Sequence, residues 1–273
     1  MTHHLVFVGG LHRSGTSPLA RALGTHPDVS ALTGTGVVED EGQHLQPVYP
    51  KAKTYGGSGR FALDPRSHLT EGSPLVTPDA AARLRAAWDP YWDLSRGWLV
   101  EKSPPNLVMG RFLQAVFPGS SLVVVVRHPV VVALSTKKWR GVRTLRPGKF
   151  ESLASLVGHW VRAHEVLRDD LAHLERVHVV HYEHLLADPR AELDAIGAFL
   201  GLPGPVPDSA LRRGHSEPYE REWRRLGHPL HPLHAGRRAV VRRHADAVAA
   251  LGYDVEDLAA PPRRVLAGAT RTP

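Results

Sequence analysis

The chain has 273 residues, 42% of them apolar and 22% charged, enough to bury a sizeable core and too apolar for an intrinsically disordered chain. It has no cysteine, which excludes disulfide scaffolds, thiolate zinc sites, iron–sulfur clusters and a cysteine nucleophile. Its 34 basic against 27 acidic residues leave a formal charge of +7, a surplus that favours anionic partners but also fits a composition biased toward Arg, Ala, Gly and Pro.

In chain order, Leu5-Val6-Phe7-Val8 is a short apolar run closed by Gly9-Gly10, the pattern of a buried strand. Helical sequence resumes at Pro18 and stops at Gly24, and residues 33–76 are rich in Gly, Pro and polar residues, with Gly56-Gly57-Ser58-Gly59 as the least structured point. An irregular segment of that length in a compact domain is usually functional. Thr77-Pro78-Asp79 predicts a helix start with Thr77 as cap. A strand follows at Trp98-Leu99-Val100 and a helix over 105–116. Leu122 to Val126 has the β-branched density of a central parallel strand, and Pro129 opens the next helix. A helix is predicted over 151–173, a strand over 177–180, a helix from Asp188-Pro189 to Gly201, and a last helix over 236–250. Alternating strands and helices imply a parallel sheet covered on both faces. One domain over 1–273 is expected, with 261–273 as a flexible tail. The opening residues lack the basic region of a leader and the run 122–126 is far too short to cross a bilayer, so no membrane span and a cytoplasmic location are expected.

The turn Gly9-Gly10-Leu11-His12-Arg13-Ser14-Gly15-Thr16-Ser17 joins the first strand to the first helix. Gly10 and Gly15 have P-loop spacing with Ser17 at the final hydroxyl position, but Thr16 stands where the P-loop lysine belongs. Glycines let backbone N–H groups turn toward an anion, and the helix N-terminus adds about half a positive charge. Arg13 supplies a planar guanidinium able to hold two oxygens at once. Further on, Arg127 leaves the carboxyl end of the strand 122–126, the rim where open α/β sheets bind ligands, and Ser135 lies eight residues later. Read alone, each segment is also compatible with an exposed arginine at a turn or helix cap.

Taken together, Arg13-Ser14-Gly15-Thr16 and Arg127 with Ser135 resemble the 5′-phosphosulfate loop and the 3′-phosphate segment of sulfotransferases that use 3′-phosphoadenosine 5′-phosphosulfate (PAPS). The arginine in the loop is similar to the Golgi-type and bacterial branch, which includes tyrosylprotein and carbohydrate sulfotransferases; the cytosolic branch usually has lysine there. The likeness continues at Glu101-Lys102-Ser103-Pro104, Val180-His181-Tyr182-Glu183 and Phe199-Leu200-Gly201-Leu202-Pro203, and ends near Leu251-Gly252-Tyr253.

The resemblance implies a P-loop-like three-layer α/β/α fold. It places the 5′-phosphosulfate on Arg13, Ser14, Gly15, Thr16 and Ser17, and the 3′-phosphate on Arg127 and Ser135. Tyr182 matches a family tyrosine near the nucleotide, although a strand-end tyrosine packing the core reads equally well. The donor would be PAPS and the product PAP, with no metal required. The acceptor would be a hydroxyl of a small molecule, sugar or peptide. Lys102 would contact the bridging or sulfuryl oxygens. For the base, the family's glutamate position falls on Thr33 or Gly34, so Glu41 is the first choice, with Glu39, Asp40 and His44 as alternatives. Clustered acids are expected to raise the pKa of that carboxylate. A small-molecule kinase using ATP is the alternative enzyme. The arginine-rich C-terminal third, including Arg212, Arg213 and Arg237, carries no nucleic-acid motif, and Trp223 is a candidate to meet an adenine. His228, His231 and His234 read as loop residues because Pro229 and Pro232 break any helix between them.

Overall fold

The computed structural model describes residues 3–143, 151–209, 211, 216–266 and 269–270. Strand β1 (His4–Gly10) is followed by α1 (Thr16–Leu23), β2 (Val29–Ala31), α2 (Ala80–Trp88), β3 (Trp98–Lys102), α3 (Gly110–Val116), β4 (Ser121–Val126) and α4 (Pro129–Arg143). Then come α5 (Leu153–Asp170), β5 (Arg176–His181), α6 (Tyr182–Ala187), α7 (Pro189–Leu200), α8 (Glu217–Leu226), α9 (His234–Ala250) and β6 (Ala269–Thr270). The sheet runs β2-β3-β1-β4-β5-β6, parallel through its first five strands and antiparallel only at β6.

The apolar run of β4 shows why the sheet is covered twice. All six of its residues are buried, and its five apolar residues alternate between two cores. Leu122, Val124 and Val126 pack with Phe112 of α3, Trp160 of α5 and Val240 of α9, whereas Val123 and Val125 pack with Leu19 and Leu23 of α1 and Leu193 and Ile196 of α7. Period-2 geometry sends neighbouring side chains to opposite faces, so a strand apolar on both faces requires helices on both. The result is the three-layer α/β/α fold.

Several boundaries differ from the sequence-based reading, for local reasons. Thr77 does not cap α2: its Oγ1 donates to Asp79 Oδ1 (2.7 Å), and the helix begins at Ala80. The helix expected over 105–116 is a 3-10 segment, Pro104–Val108, then α3, with Met109 (φ −130°) breaking them. Ser152 starts α5 by accepting the Ser155 N–H (3.0 Å), and α5 ends at Asp170. Asp188 caps α7 as expected, accepting the Ala191 N–H (3.1 Å), and Gly201 closes it in the left-handed region. The stretch 33–76 is a chain of short 3-10 turns that buries Gln43, Tyr49 and Phe61. Strand β2 and helices α6 and α8 have no counterpart in the reading above. Near the C-terminus Leu266 is buried, and β6 pairs Ala269 with Val177. Among the described residues, no helix is long and apolar enough to cross a membrane.

Candidate active site

Strand β1 lies at the centre of the sheet, so its carboxyl end opens into the crevice above β3 and β4. Gly10 leaves β1 with φ +148°, and a Cβ there would stand 2.5 Å from the Val125 carbonyl oxygen. Gly15 (φ +102°) precedes α1, where a Cβ would sit 2.3 Å from the Tyr182 ring. Only glycine fits either place; the loop between them leads into the N-terminus of α1, and within it the Ser14 N–H donates to the Leu11 carbonyl (3.0 Å). Ser14 is buried, its Oγ without a partner among the described residues, and Arg13, in the left-handed region at φ +73°, is exposed at the cleft. Thr16 begins α1 and is buried; it supplies no cation where a P-loop would.

The second expected segment converges on this loop. Arg13 Nε donates to Ser135 Oγ (3.1 Å), and Arg127 donates to the Arg13 carbonyl (3.2 Å) and to Ser216 Oγ (3.0 Å). The Arg127 guanidinium lies over the Tyr182 ring at 4.4 Å, and among the described residues its Nε has no partner. Burial pulls Arg127 below its ordinary pKa and Arg13 adds to that direction, against the opposing effect of Tyr182, Glu183 and Tyr219. Behind them, Trp160 Nε1 donates to the Arg127 carbonyl (2.9 Å), and Glu183 accepts the His128 N–H (2.8 Å) and the Tyr253 hydroxyl (3.0 Å). Tyr182 packs in the core, and its face meets Arg127 at the edge of the cleft.

These residues line a cleft of about 900 Å³. Arg13, Gly15, Thr16, Ser17, Arg127, Ser135 and Tyr182 stand along it, with Glu41, Gln43, His44, Lys53 and Ser58 from the irregular segment. Glu41 is buried. Gln43 Nε2 donates to its Oε2 (2.6 Å), His44 Nε2 lies 3.5 Å from that oxygen, and Lys102 Nζ lies 3.5 Å from Oε1. The pKa expectation for Glu41 is overturned: burial alone would raise it, but His44, the charges of His12 and Lys102, and Gln43 together hold it below the ordinary carboxylate value. Lys102 is the last residue of β3, not a residue beyond it, and its ammonium donates to the Glu39 carbonyl (2.6 Å). Lys102 faces a neighbouring cavity of about 550 Å³, and Glu39 lines both spaces. Glu39 and Asp40 both have positive φ, and Asp40 is occupied in accepting from the Thr35 N–H (2.9 Å) and hydroxyl (2.6 Å). That leaves Glu41 as the one residue of the acidic triplet whose carboxylate is buried beside Lys102.

Trp223 does not meet a ligand. It is buried in the core, donating to the Val255 carbonyl (2.8 Å), with Arg237 against its ring at 5.1 Å. Tyr219, one turn earlier on α8, reaches the cleft instead. His228 and His231 each accept a backbone N–H in successive turns, and His234 opens α9. Arg212 and Arg213 lie outside the described residues. Ser216, Glu183 and Glu101 are site neighbours that sequence reasoning missed; Glu101 and Glu183 stood inside quoted motifs, whereas nothing around Ser216 marks it.

This architecture is that of known sulfuryl-transferring proteins. A profile of the Sulfotransferase family matches residues 6–208, and the chain belongs to that family. Among curated proteins it is 26% identical over 205 residues to Protein-tyrosine sulfotransferase 2 of Gallus gallus, covering 72% of this chain and 51% of the relative. The chain thus spans about half the length of that relative. Among solved structures it superposes on sulfotransferase STF1 from Mycobacterium tuberculosis H37Rv with a TM-score of 0.51 and 21% identity, covering 74% of this chain and 68% of that one.

Proposed function

We propose that the protein transfers a sulfuryl group from PAPS to a hydroxyl of a small-molecule, sugar or peptide acceptor, releasing PAP. The observation that carries this reading is the convergence of Arg13, Arg127 and Ser135 on one cleft at the N-terminus of α1, with Arg127 Nε buried and without a partner among the described residues. An unpaired donor of this kind fits a bound dianion, because buried polar groups otherwise find partners. The loop amides of Gly15 to Ser17 and Arg13 hold the 5′-phosphosulfate, the Ser14 amide being engaged by the Leu11 carbonyl (3.0 Å). Arg127 and Ser135 hold the 3′-phosphate, with Tyr182 supporting Arg127 from the side.

In the transfer, the acceptor oxygen attacks sulfur in line as the bond from sulfur to the bridging phosphate oxygen breaks, and that electron pair leaves on PAP. The loose transition state makes positioning and charge stabilisation the main tasks. Glu41, held ionised by its neighbours, takes the acceptor proton, while Lys102 exchanges the Glu39 carbonyl for the developing charge on the leaving oxygen. Residues 43–58 form the acceptor side of the cleft. Fixed cations do the neutralising, so the reading requires no metal.

Titration calorimetry with PAP, without metal, tests this on the wild type, Arg13→Ala and Arg127→Ala. Micromolar or tighter binding, weakened at least about tenfold by each substitution, is expected for two charged contacts. Binding of ATP with Mg²⁺ in preference to PAP would overturn the reading in favour of a kinase.

A further inference from the structure

Beyond the residues that line the cleft, one buried acid lacks a task. Glu101 precedes Lys102 on β3 and points to the opposite face, where it is 0% exposed. Its Oε1 accepts the Ser103 hydroxyl (2.6 Å) and its Oε2 accepts Asn106 Nδ2 (2.6 Å). Ser103 Oγ in turn accepts the backbone N–H of Gln43 (2.9 Å). Gly42 lies so close that a Cβ there would stand 2.5 Å from Glu101 Oε1. Gln43, fixed at its backbone by this bridge, donates from its side chain to Glu41. A continuous chain of hydrogen bonds therefore runs from Glu101 through Ser103 and Gln43 to Glu41, and the peptide after Glu101 carries Lys102. Among the described residues no cation pairs directly with Glu101, which makes it a costly way merely to hold a strand.

We propose that Glu101 is a positioning residue for sulfuryl transfer: through Ser103 and Gln43 it holds the Glu41 carboxylate in register with the Lys102 ammonium. The inference rests on the assignment of Glu41 and Lys102 to the transfer step. Only the ionised carboxylate accepts from both Ser103 and Asn106; a proton on Oε1 would turn it into a donor facing the Ser103 hydroxyl and loosen the grip on Gln43. Burial pushes Glu101 up to about 7, against the lowering effect of Ser103, Asn106 and Lys102, and Glu41 adds to the rise. The other titratable group beside it is Tyr49, itself pushed well up by burial and by Glu101, and His12 and His44 join the set through Glu41. The ionised, ordered state is thus the one populated above neutral pH.

The test compares wild type, Glu101→Gln and Ser103→Ala by PAP calorimetry, by release of PAP from PAPS with water as acceptor, and by the ¹⁵N shift of the Gln43 amide across pH. In the wild type, turnover should rise with pH through about 7 and the Gln43 amide should titrate with the same midpoint. Both substitutions should lower kcat about tenfold or more, leave KM for PAPS and the PAP affinity within about twofold, and abolish that titration. Wild-type kcat and pH profile in Glu101→Gln would overturn the inference, as would an equal loss of PAP affinity in both variants. Absence of PAP binding by the wild type would instead overturn the donor assignment on which it rests.

Discussion

Acid should weaken this protein through His128, the residue that follows Arg127. The ring is held as a single neutral tautomer. The Val130 N–H donates to its Nδ1 (3.2 Å), so that nitrogen carries no proton, and Nε2–H donates to the Asp254 carbonyl (2.8 Å). Tyr253 closes over the ring edge-on at 5.4 Å. A second proton could enter only at Nδ1, facing the Val130 N–H. Burial accordingly pushes His128 down to about 4, with the charge of Arg127 in the same direction and the Asp254 carbonyl opposing. The unfolded chain takes up a proton near the ordinary 6.5 and the folded chain does not, so stability is complete above that pH and falls as pH drops toward 4. The full difference is about 3 kcal/mol, of which about 2 kcal/mol is lost between about pH 7.5 and about pH 5. His164, buried and bonded to the Trp160 carbonyl at 2.7 Å, is also pushed down to about 4 and adds a similar amount. Urea unfolding of wild type and His128→Asn at those two pH values checks the reasoning. Asparagine keeps an acceptor for Val130 without a titrating group, so the variant should lose about 2 kcal/mol less than wild type on acidification. Equal losses in the two proteins would refute the argument.

Other outcomes follow from single contacts. Gly15→Ala forces a methyl against the Tyr182 ring at a positive φ, and PAP affinity should fall at least about tenfold in calorimetry. Trp160→Phe removes the donor to the Arg127 carbonyl; thermal unfolding should show a loss of about 1 kcal/mol, and PAP binding should weaken in parallel. Asp188→Ala removes the cap of α7; it should cost about 1 kcal/mol in urea unfolding and leave PAP affinity unchanged. Lys102→Met should leave PAP binding within about twofold while PAP release from PAPS slows by about a hundredfold or more, the scale of a lost charge-stabilising contact.

Much of the architecture was legible because it depends on short-range rules. The β-branched run 122–126 and the Asp188-Pro189 cap each announce a local conformation, and each forms where expected, whereas β1 runs on through Gly9 and Gly10, which pair with Val124 and Val125. Arg13 and Arg127 were also legible, because a strand's carboxyl end has a known place in a parallel sheet. Thr77 misled because its hydroxyl had a nearer partner in the Asp79 carboxylate than the amides of a helix start.

By itself, then, the sequence determined the alternation of β1, β3, β4 and β5 with helices, the glycines at Gly10 and Gly15, Arg13 in the loop after β1 and Arg127 at the end of β4. The tertiary structure alone decided which polar groups meet. It set Ser216 beside Arg127 across 89 positions and the Gln43 amide on Ser103 across 60, and it put Trp223 in the core while Tyr219 reached the cleft. It also reversed the sign of the Glu41 shift, since that sign depends on which charges burial brings within a few ångströms. Neighbours in sequence constrain backbone angles, whereas charge, desolvation and hydrogen bonding act through space, and only the folded chain fixes those distances.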